Sequence, residues 1–273
     1  MDFNERGFLG EAIEEWRKKL IPAHQAHFTF AYDVHEFCQR AKFEVKVHNR
    51  DGQEIVVASL FFKMLSDYQG AIILLERGMV AQGQALLRCT LEAYFLIKRS
   101  VEDDSFHAVW ARSDQIDRLR MLQAVGAGEG GLPPTVDAIE LDTKIADVRR
   151  QVEESEAKRI RVKDVIQEKE GEWLPSLYML WSFSVHSTPR TVNKYVQGGP
   201  LGLGIQGFNW GPCEDSLDFT LAWGGSVMLA VWSPLGKLFD LSVADEVGAL
   251  EARFGELIPN RLKRDPGSSS SSP

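Results

Sequence analysis

The sequence is poor in cysteine and in positive charge, and each shortage argues against a class of protein. Its 273 residues include three cysteines, Cys38, Cys89 and Cys213, with no CxxC spacing. This pattern argues against a disulfide framework and against a zinc cluster, so we expect a reducing cytoplasm and no metal site. The net charge of -8 argues against nucleic-acid binding by the chain as a whole. A local basic patch that binds nucleic acid is still compatible with this charge.

Signals for export and for membrane insertion are also scarce. The N-terminal residues are acidic and mixed, without the basic and apolar regions of a secretory signal. One uncharged apolar run, 219–236, approaches the length that crosses a bilayer, but Gly224, Gly225 and Pro234 interrupt it. We predict that this run is a buried core helix, and that the protein is soluble, cytoplasmic and without a membrane contact.

The sequence also lacks the common catalytic signatures HExxH and GxSxG and a Walker-type loop. The glycine-rich stretch 198–211 does not follow a strand and open a helix, as a phosphate-binding loop must. It predicts a long surface loop with at most a short strand, in which Phe208 and Trp210 either pack on the surface or cover a site as a lid. The cofactor is unknown from these patterns, and whether the protein is an enzyme stays open.

What the sequence does contain is helical periodicity along most of its length. It predicts an all-α fold, an antiparallel helical bundle with a charged helical arm and at most a minor β-hairpin. The segment 45–57 combines turn residues with β-branched residues and predicts either a loop or a short hairpin at the edge. We expect residues 1–125 and 172–258 to form one bundle domain, 134–171 to be the inserted arm and 259–273 to be a disordered tail.

The arm has a narrow apolar stripe on a highly charged helix, made of Leu141, Ile145, Val148 and Val152. Such a stripe is typical of an exposed arm or of half a short coiled coil, so the arm is a candidate homodimer contact. A basic run follows at 157–163, and the acidic residues around it favour a solvated face over a nucleic-acid contact.

The centre of the chain, Leu60 to Ile97, predicts two apolar helices joined near Gly78 and packed as an antiparallel pair. The second helix is apolar nearly all round, so Arg88 and Glu92 should be partly buried in it. Because they are four residues apart, they share a helical face and can form an ion pair. Such a pair is either a packing device or part of a ligand or catalytic site.

The segment Trp173 to Val196 carries the second set of candidates. Tyr178, Ser182 and His186 recur at every fourth residue and would share a face on one continuous helix. Pro189 argues against that continuity, because Ser187 or Thr188 can cap a new helix that begins with the proline. His186 would then lie at a helix end, where a cation is favoured, and could serve as a general acid or base. A satisfied core histidine is the alternative.

Three stretches carry a family resemblance: LLRCTLEAYFLIKRS, then FHAVWARSDQIDRLRML, then YMLWSFSVHSTPR. Together they resemble the bacterial family catalogued as domain of unknown function 5677, over roughly Leu60 to Val196 and, more loosely, over the apolar helix after Asp215. The family's motif residues map onto Arg88, Glu92, Ser184 and His186. The resemblance implies a helical fold and a candidate site, but no chemistry.

A more distant similarity is to the HEPN helical bundles, some of which cut RNA with an Arg-x4-6-His motif. Here Arg99 and His107 are too far apart for that motif, and between His186 and Arg190 the order is reversed.

Two functional hypotheses follow. The first is a nucleotide- or RNA-directed hydrolase or sensor in bacterial stress or defence, whose partner is an anionic small molecule or RNA. In it Arg88 and Arg190 bind the anion, His186 moves a proton and Glu92 orients His186, with further ligand contacts from Tyr178, Ser182 and Ser184. The second is a non-catalytic protein–protein interaction module with a structural Arg88, Glu92 and His186 network, in which the arm from Leu141 to Val165 contacts the partner. A solvent-connected pocket at His186 would support the first, and a sealed polar network the second.

Overall fold

The computed structural model describes residues 3–127, 137–166, 173–187, 189–198 and 204–258. Two short 3-10 turns, Gly7–Leu9 and Lys42–Glu44, accompany the α-helices, which are α1 (Phe3–Arg6), α2 (Ala12–Ala23), α3 (Gln25–Ala41), α4 (Gly52–Leu75), α5 (Val80–Glu102), α6 (Phe106–Gly126), α7 (Ala138–Glu154), α8 (Val162–Val165), α9 (Leu174–Ser182), α10 (Pro189–Asn193), α11 (Leu217–Ala230), α12 (Trp232–Phe239) and α13 (Ala244–Leu257). The strands are β1 (Val196–Gly198) and β2 (Ile205–Phe208), which pair antiparallel. The predicted all-α class with a minor hairpin is confirmed.

The hairpin does not lie in the segment 45–57, which the sequence offered as its candidate position. Residues 45–51 contain no strand, and Asp51 begins a helix by accepting a hydrogen bond from the Glu54 backbone N–H at 3.0 Å. The β-branched residues that follow belong to α4, where Val57 is fully buried. Burial of this apolar helix outweighs the strand preference of its β-branched side chains. The observed hairpin pairs Val196 with Phe208 instead, and residues 199–203 within its loop lie outside the described residues.

Helices α4 and α5 form the central antiparallel pair that the apolar pattern predicts, and the chain turns between them at Gly78. Gly78 has a φ of +70°, a conformation that favours glycine. A Cβ atom there would lie 2.8 Å from the Cβ of Pro212 and 2.9 Å from the Cys213 nitrogen. The Cys213 N–H also donates to the Gly78 carbonyl at 2.9 Å, so the turn anchors the segment that leads into α11.

The apolar run 219–236 is a core element, as predicted, and it divides into α11 and α12 around Val231. Helix α11 packs against α3, α5 and α4, and Gly225 leaves room for a side chain of α3. A Cβ at Gly225 would lie 2.5 Å from the Phe30 ring. Trp232 of α12 is buried between the rings of Phe37 and Phe61, with centroid distances of 5.0 and 5.2 Å.

Helix α4 alone, among the described helices, is long and apolar enough to cross a bilayer, and half of its most apolar window is buried inside the protein. A core helix of a soluble protein passes the same test of length and composition. The described structure is therefore consistent with the predicted soluble protein.

The charged arm packs against the bundle's own chain. Helix α7 lies along α6, with Leu141 and Val148 buried, and Arg159 Nε lies 2.8 Å from Asp117 Oδ1 of α6. The apolar stripe that the sequence placed on an exposed arm thus faces α6. The glycine- and proline-rich break at 128–136, the segment 167–172 and the tail 259–273 lie outside the described residues, and the predicted domain boundaries stay a prediction.

Candidate functional site

The contact between α5 and α9 brings four of the predicted site residues together. Arg88 and Glu92 lie one turn apart on α5, and Arg88 Nη2 is 2.8 Å from Glu92 Oε1. Their side chains are 18% and 25% exposed, so the pair is formed and partly buried, as the four-residue spacing predicts.

The guanidinium of Arg88 is held from the α9 side as well. Its Nε donates to Ser182 Oγ at 3.0 Å, and its Nη2 donates to the Tyr178 hydroxyl at 2.8 Å. The Arg88 Cζ atom also lies 5.0 Å from the centroid of the Tyr178 ring, within the range of a cation–π contact. Both Nε and Nη2 of Arg88 are therefore engaged by protein groups.

Tyr178 closes the network by donating from its hydroxyl to Glu92 Oε1 at 3.1 Å. Burial raises the pKa of Tyr178, the negative charge of Glu92 raises it further, and Arg88 opposes both. The phenol therefore stays neutral and keeps its proton for Glu92. Ser182 is fixed in turn, because its hydroxyl accepts from Arg88 Nε and donates to the Tyr178 carbonyl oxygen, one helical turn earlier, at 2.7 Å. Tyr178 and Ser182 thus hold α9 to the ion pair on α5.

Ser184 belongs to a neighbouring relay that contacts different partners. Its hydroxyl donates to Gln84 Oε1 at 2.6 Å, and Gln84 Nε2 donates to Thr220 Oγ1 at 3.0 Å. The Thr220 hydroxyl donates in turn to the Ser216 carbonyl oxygen at 2.6 Å. The relay ties the turn after α9 to α5 and to the start of α11. Gln84 and Thr220 were missed by sequence reasoning, although an uncharged polar residue on the buried face of an apolar helix is a signal for such a partner.

His186 lies apart from this network. Helix α9 ends at Ser182 and the chain turns through 183–186, so His186 does not continue the face of Tyr178 and Ser182, and its side chain is exposed. The described contacts of Arg88 and Glu92 on this side are with α9, not with His186. Pro189 begins α10, as predicted, and the side chain of Arg190 lies outside the described residues.

A family model described as a family of unknown function, DUF5677, matches residues 54–200, more than half of the chain. The chain belongs to the DUF5677 family. No curated protein and no solved structure matches it. The DUF5677 region includes all of α5 and α9, and with them the Arg88 network, whereas Thr220 and the rest of α11 lie beyond it.

A second buried network lies at the C-terminal end of α4 in this DUF5677 protein. The carboxylate of Glu76, which is buried, accepts from Arg17 Nε at 2.6 Å and from the Tyr32 hydroxyl at 2.7 Å. Burial raises the pKa of Tyr32 well above its ordinary value, and Glu76 adds to the effect. These contacts join α2 and α3 to α4. The three residues are far apart in sequence, so no local spacing could have indicated them.

A third cluster joins the α2–α3 junction to the start of α11. His24 Nδ1 lies 2.6 Å from Asp218 Oδ1, and His24 Nε2 lies 3.3 Å from Glu214 Oε2. His27 Nδ1 is 3.1 Å from the same Asp218 oxygen. Burial lowers the pKa of His24, but its bonds to Asp218 and Glu214 outweigh burial and raise the pKa overall. Burial lowers the pKa of His27, and Asp218 opposes the shift only in part.

Metal-ligand geometry and a surface pocket are two further features of the described residues that bear on the candidate site. Within the part of the chain that the structure describes, no group of three or more His, Cys, Asp or Glu side chains is arranged to hold a metal ion. A surface pocket of about 570 Å³ lies between the α2–α3 junction and α13, where its lining includes Pro22, Thr29, Phe30, Arg253 and Leu257. None of the predicted site residues lines this pocket.

Proposed function

We propose that this DUF5677 protein is a non-catalytic protein–protein interaction module in which the Arg88 network holds α9 in place for a partner. One observation carries the proposal: Nε and Nη2 of Arg88 are engaged by Ser182, Tyr178 and Glu92. A guanidinium held in this way fixes two helices against each other. An incoming anion would have to compete with Glu92 for it, so the arrangement favours a structural role.

The position of His186 also favours an interaction module over a nucleotide- or RNA-directed hydrolase or sensor. A general acid or base must be oriented within hydrogen-bond reach of the proton it moves. In the described contacts Glu92 accepts from Tyr178 and pairs with Arg88, and neither residue orients the exposed His186. The polar network therefore lacks the histidine to which the hydrolase hypothesis assigns the proton transfer.

The outward side of α9 supplies the partner surface. Met179, Leu180 and Phe183 are exposed, while Leu177 and Trp181 on the opposite side are buried. At 100° per residue the three exposed side chains share one side of the helix and of its C-terminal turn. A contiguous apolar surface of this kind marks an interaction site. The following segment adds the exposed residues Val185, Val192 and Tyr195.

Charge narrows the chemistry of the partner. The stretch 173–213 contains no aspartate or glutamate, and its Lys and Arg residues are Arg190 and Lys194, in a chain of net charge -8. A partner segment with an apolar face and acidic flanks would complement it. Nucleic acid binds through aromatic stacking and a run of cations, whereas much of this surface is aliphatic and it carries few cations. We therefore propose an acidic, amphipathic protein segment as the partner, met in the cytosol, where three unpaired cysteines stay reduced.

The test places a photo-crosslinking amino acid at Leu180 in the full chain and, as a control, at Ile139 on α7, which is 80% exposed. After irradiation in the native cells we expect a discrete protein adduct from Leu180 and not from Ile139. The adduct should disappear in the Phe183→Glu variant while its circular dichroism stays that of the wild type. Mass spectrometry of the cross-linked peptide should then identify an acidic, amphipathic segment.

A nucleotide and RNA turnover assay covers the competing function. Hydrolysis that His186→Gln abolishes would replace this proposal with the hydrolase. RNA, rather than protein, as the species cross-linked at Leu180 would equally overturn it.

A further inference from the structure

His24 has a carboxylate against each of its two ring nitrogens. Its Nδ1 lies 2.6 Å from Asp218 Oδ1, and its Nε2 lies 3.3 Å from Glu214 Oε2. A neutral imidazole carries one N–H and can donate to only one of these carboxylates, whereas the imidazolium carries two. Both contacts are therefore satisfied together only when His24 is charged, so the observed geometry is that of an imidazolium.

Loss of this proton affects the two carboxylates unequally. The shorter contact, to Asp218, favours keeping the remaining proton on Nδ1 of His24, and His27 Nδ1 lies 3.1 Å from the same Asp218 oxygen as a second donor. The unprotonated Nε2 then presents a lone pair to Glu214 Oε2, and the two repel each other. Asp218 thus keeps its partners after deprotonation, whereas Glu214 loses its contact with His24.

Within the described residues, Asp218 and Glu214 are the charged groups that contact His24. Burial lowers the pKa of His24, and the hydrogen bonds to these two carboxylates raise it by more. The charged side chains on the neighbouring elements are engaged elsewhere: Arg17 pairs with Glu76, Arg77 with Glu14, Lys18 with Glu15 and Arg253 with Asp33, Glu256 lines the surface pocket, and Asp215 and Lys194 act on the Cys213 thiol. The contact with Glu214 therefore depends on the charge of His24 itself.

Glu214 belongs to the segment that leads into α11 through a left-handed residue. Ser216 has a φ of +65°, which is unfavourable for a residue with a Cβ atom, and its side chain makes no capping hydrogen bond. Such a conformation persists only where surrounding contacts impose it. Here the segment is tied by the bond from the Cys213 N–H to the Gly78 carbonyl at 2.9 Å and by the contact of Glu214 with His24. Release of Glu214 removes one of these two ties.

Ser216 is also the residue at which the relay from the turn after α9 ends. Thr220 donates to the Ser216 carbonyl from its backbone N–H at 2.9 Å and from its hydroxyl at 2.6 Å. Gln84 joins Thr220 to Ser184, which follows Phe183 of the proposed partner surface. A contiguous set of hydrogen bonds therefore connects the Ser216 carbonyl to that turn, and a shift of the carbonyl can be transmitted along it.

We infer that His24 is a proton-operated latch on the start of α11. In its imidazolium form His24 holds Glu214 and keeps Ser216 in the left-handed conformation. In its neutral form it releases Glu214, the turn relaxes, and the relay loosens its hold on the turn that bears Phe183. This inference rests on the proposed function, because it makes the partner surface on α9 subject to regulation by pH, with the ordered surface at the lower pH.

Hydrogen exchange of the full chain, followed by mass spectrometry at pH 5.5 and pH 8.5, tests the latch. Each rate is compared with the intrinsic rate at the same pH, and exchange in α12 reports any change in global stability. The amides of Leu217 and Thr220, which donate to the Glu214 and Ser216 carbonyls, are the reporters. In the wild type we expect their protection to be about three- to fivefold lower at pH 8.5 than at pH 5.5.

Variants of His24 separate the charge from the packing of the ring. His24→Gln should give the lower protection at both pH values, because it is never charged. His24→Arg should give the higher protection at both, because the guanidinium keeps its charge and has several N–H donors for the two carboxylates. The matched control is His48→Gln, which breaks a comparable pair at the start of α4, where His48 Nδ1 lies 2.9 Å from Glu54 Oε2. It should leave the pH dependence at α11 unchanged.

The link to α9 is tested by cutting the relay. In the wild type the amides of Ser184 and Val185, which donate to carbonyls of α9, should follow the same pH dependence as those of α11. Gln84→Met has a side chain of similar size without the amide, so it should abolish the pH dependence at Ser184 and Val185 and retain it at Leu217.

Several outcomes would overturn the inference. Equal protection of the α11 amides at the two pH values in the wild type removes the latch, and so does a pH dependence that persists in His24→Arg. A wild-type pH dependence that is confined to α11 removes the link to the partner surface. The exchange measurement needs no partner, so a failure of cross-linking at Leu180 counts against the interaction module and not against the latch.

Discussion

Arg88 and Glu92 form an ion pair at 2.8 Å across one turn of α5, and α9 completes it from outside. The same Glu92 oxygen that faces Arg88 also accepts the Tyr178 hydroxyl, so the two charges and the phenol share one set of contacts. The pair is thus the point at which α9, a short helix, is fixed to the central helix of the bundle. Loss of any one of these three side chains should weaken the packing of α9 against α5 before it affects the rest of the bundle.

Arg88→Ala should destabilise the fold by about 1 to 3 kcal/mol. The change leaves the Glu92 carboxylate without its cation, a loss that costs about 3 to 5 kcal/mol at a fully buried site and less here, where both side chains keep some solvent contact. Urea unfolding of the two proteins measures the difference. Arg150→Ala is the control, because its pair with Asp147 on α7 is exposed and should be worth less than about 0.5 kcal/mol. Equal midpoints for Arg88→Ala and the wild type would contradict a structural role.

Tyr178→Phe should cost about 1 to 2 kcal/mol while the ring keeps its contacts. The variant removes the hydroxyl that accepts from Arg88 and donates to Glu92, but it retains the aromatic face beneath the guanidinium. Because the three residues share contacts, the Arg88→Ala/Tyr178→Phe double variant should lose less stability than the two single variants together. Urea unfolding of the four proteins gives the coupling free energy, and strict additivity would show that the contacts are independent.

His186→Gln should leave stability unchanged within about 0.5 kcal/mol, because the side chain is exposed in the turn after α9. Thermal unfolding of the variant and of the wild type is the measurement. If His186 were instead a satisfied core histidine, its loss would cost about 1 to 3 kcal/mol. A drop of that size would place the imidazole inside the protein and restore the structural network that the sequence suggested for it.

How far the sequence predicts this molecule depends on the range of the interactions involved. The Arg88–Glu92 pair and the α4–α5 turn follow from local spacing, because four residues set one helical face and a glycine permits the turn. Tyr178 and Ser182 were also identified by periodicity within one short helix. The same periodicity also placed His186 on that face. His186 does not lie there, because α9 ends at Ser182. Sequence spacing alone cannot show where such a short helix ends.

Local spacing cannot predict contacts between residues that are far apart in the sequence. Glu76 meets Arg17 and Tyr32 across three helices, and no periodicity relates them. The position of the hairpin shows a different limit. The turn residues and β-branched run at 45–57 have strand preference, but packing of α4 into the core decides in favour of the helix.

His24 should make stability depend on pH in a direction set by its raised pKa. A histidine whose pKa is higher in the folded than in the unfolded state stabilises the fold fully below its unfolded pKa, and the contribution is lost as pH rises through the folded value. The stabilising contribution of His24, about 1 kcal/mol or less because Asp218 and Glu214 are half exposed, should therefore be present at pH 5.5 and absent at pH 8.5.

The measurement is the difference in unfolding free energy between the wild type and His24→Gln at those two pH values. His27→Gln is the matched comparison with the opposite sign. The pKa of His27 is lowered by burial, so His27 contributes a loss of stability as pH falls, and its removal should make the protein relatively more stable at pH 5.5. The two histidines contact the same Asp218 oxygen, so a common effect of losing that contact appears at both pH values and cancels. A His24→Gln deficit that is the same at pH 5.5 and pH 8.5 would show that the imidazole contacts α11 without a charge.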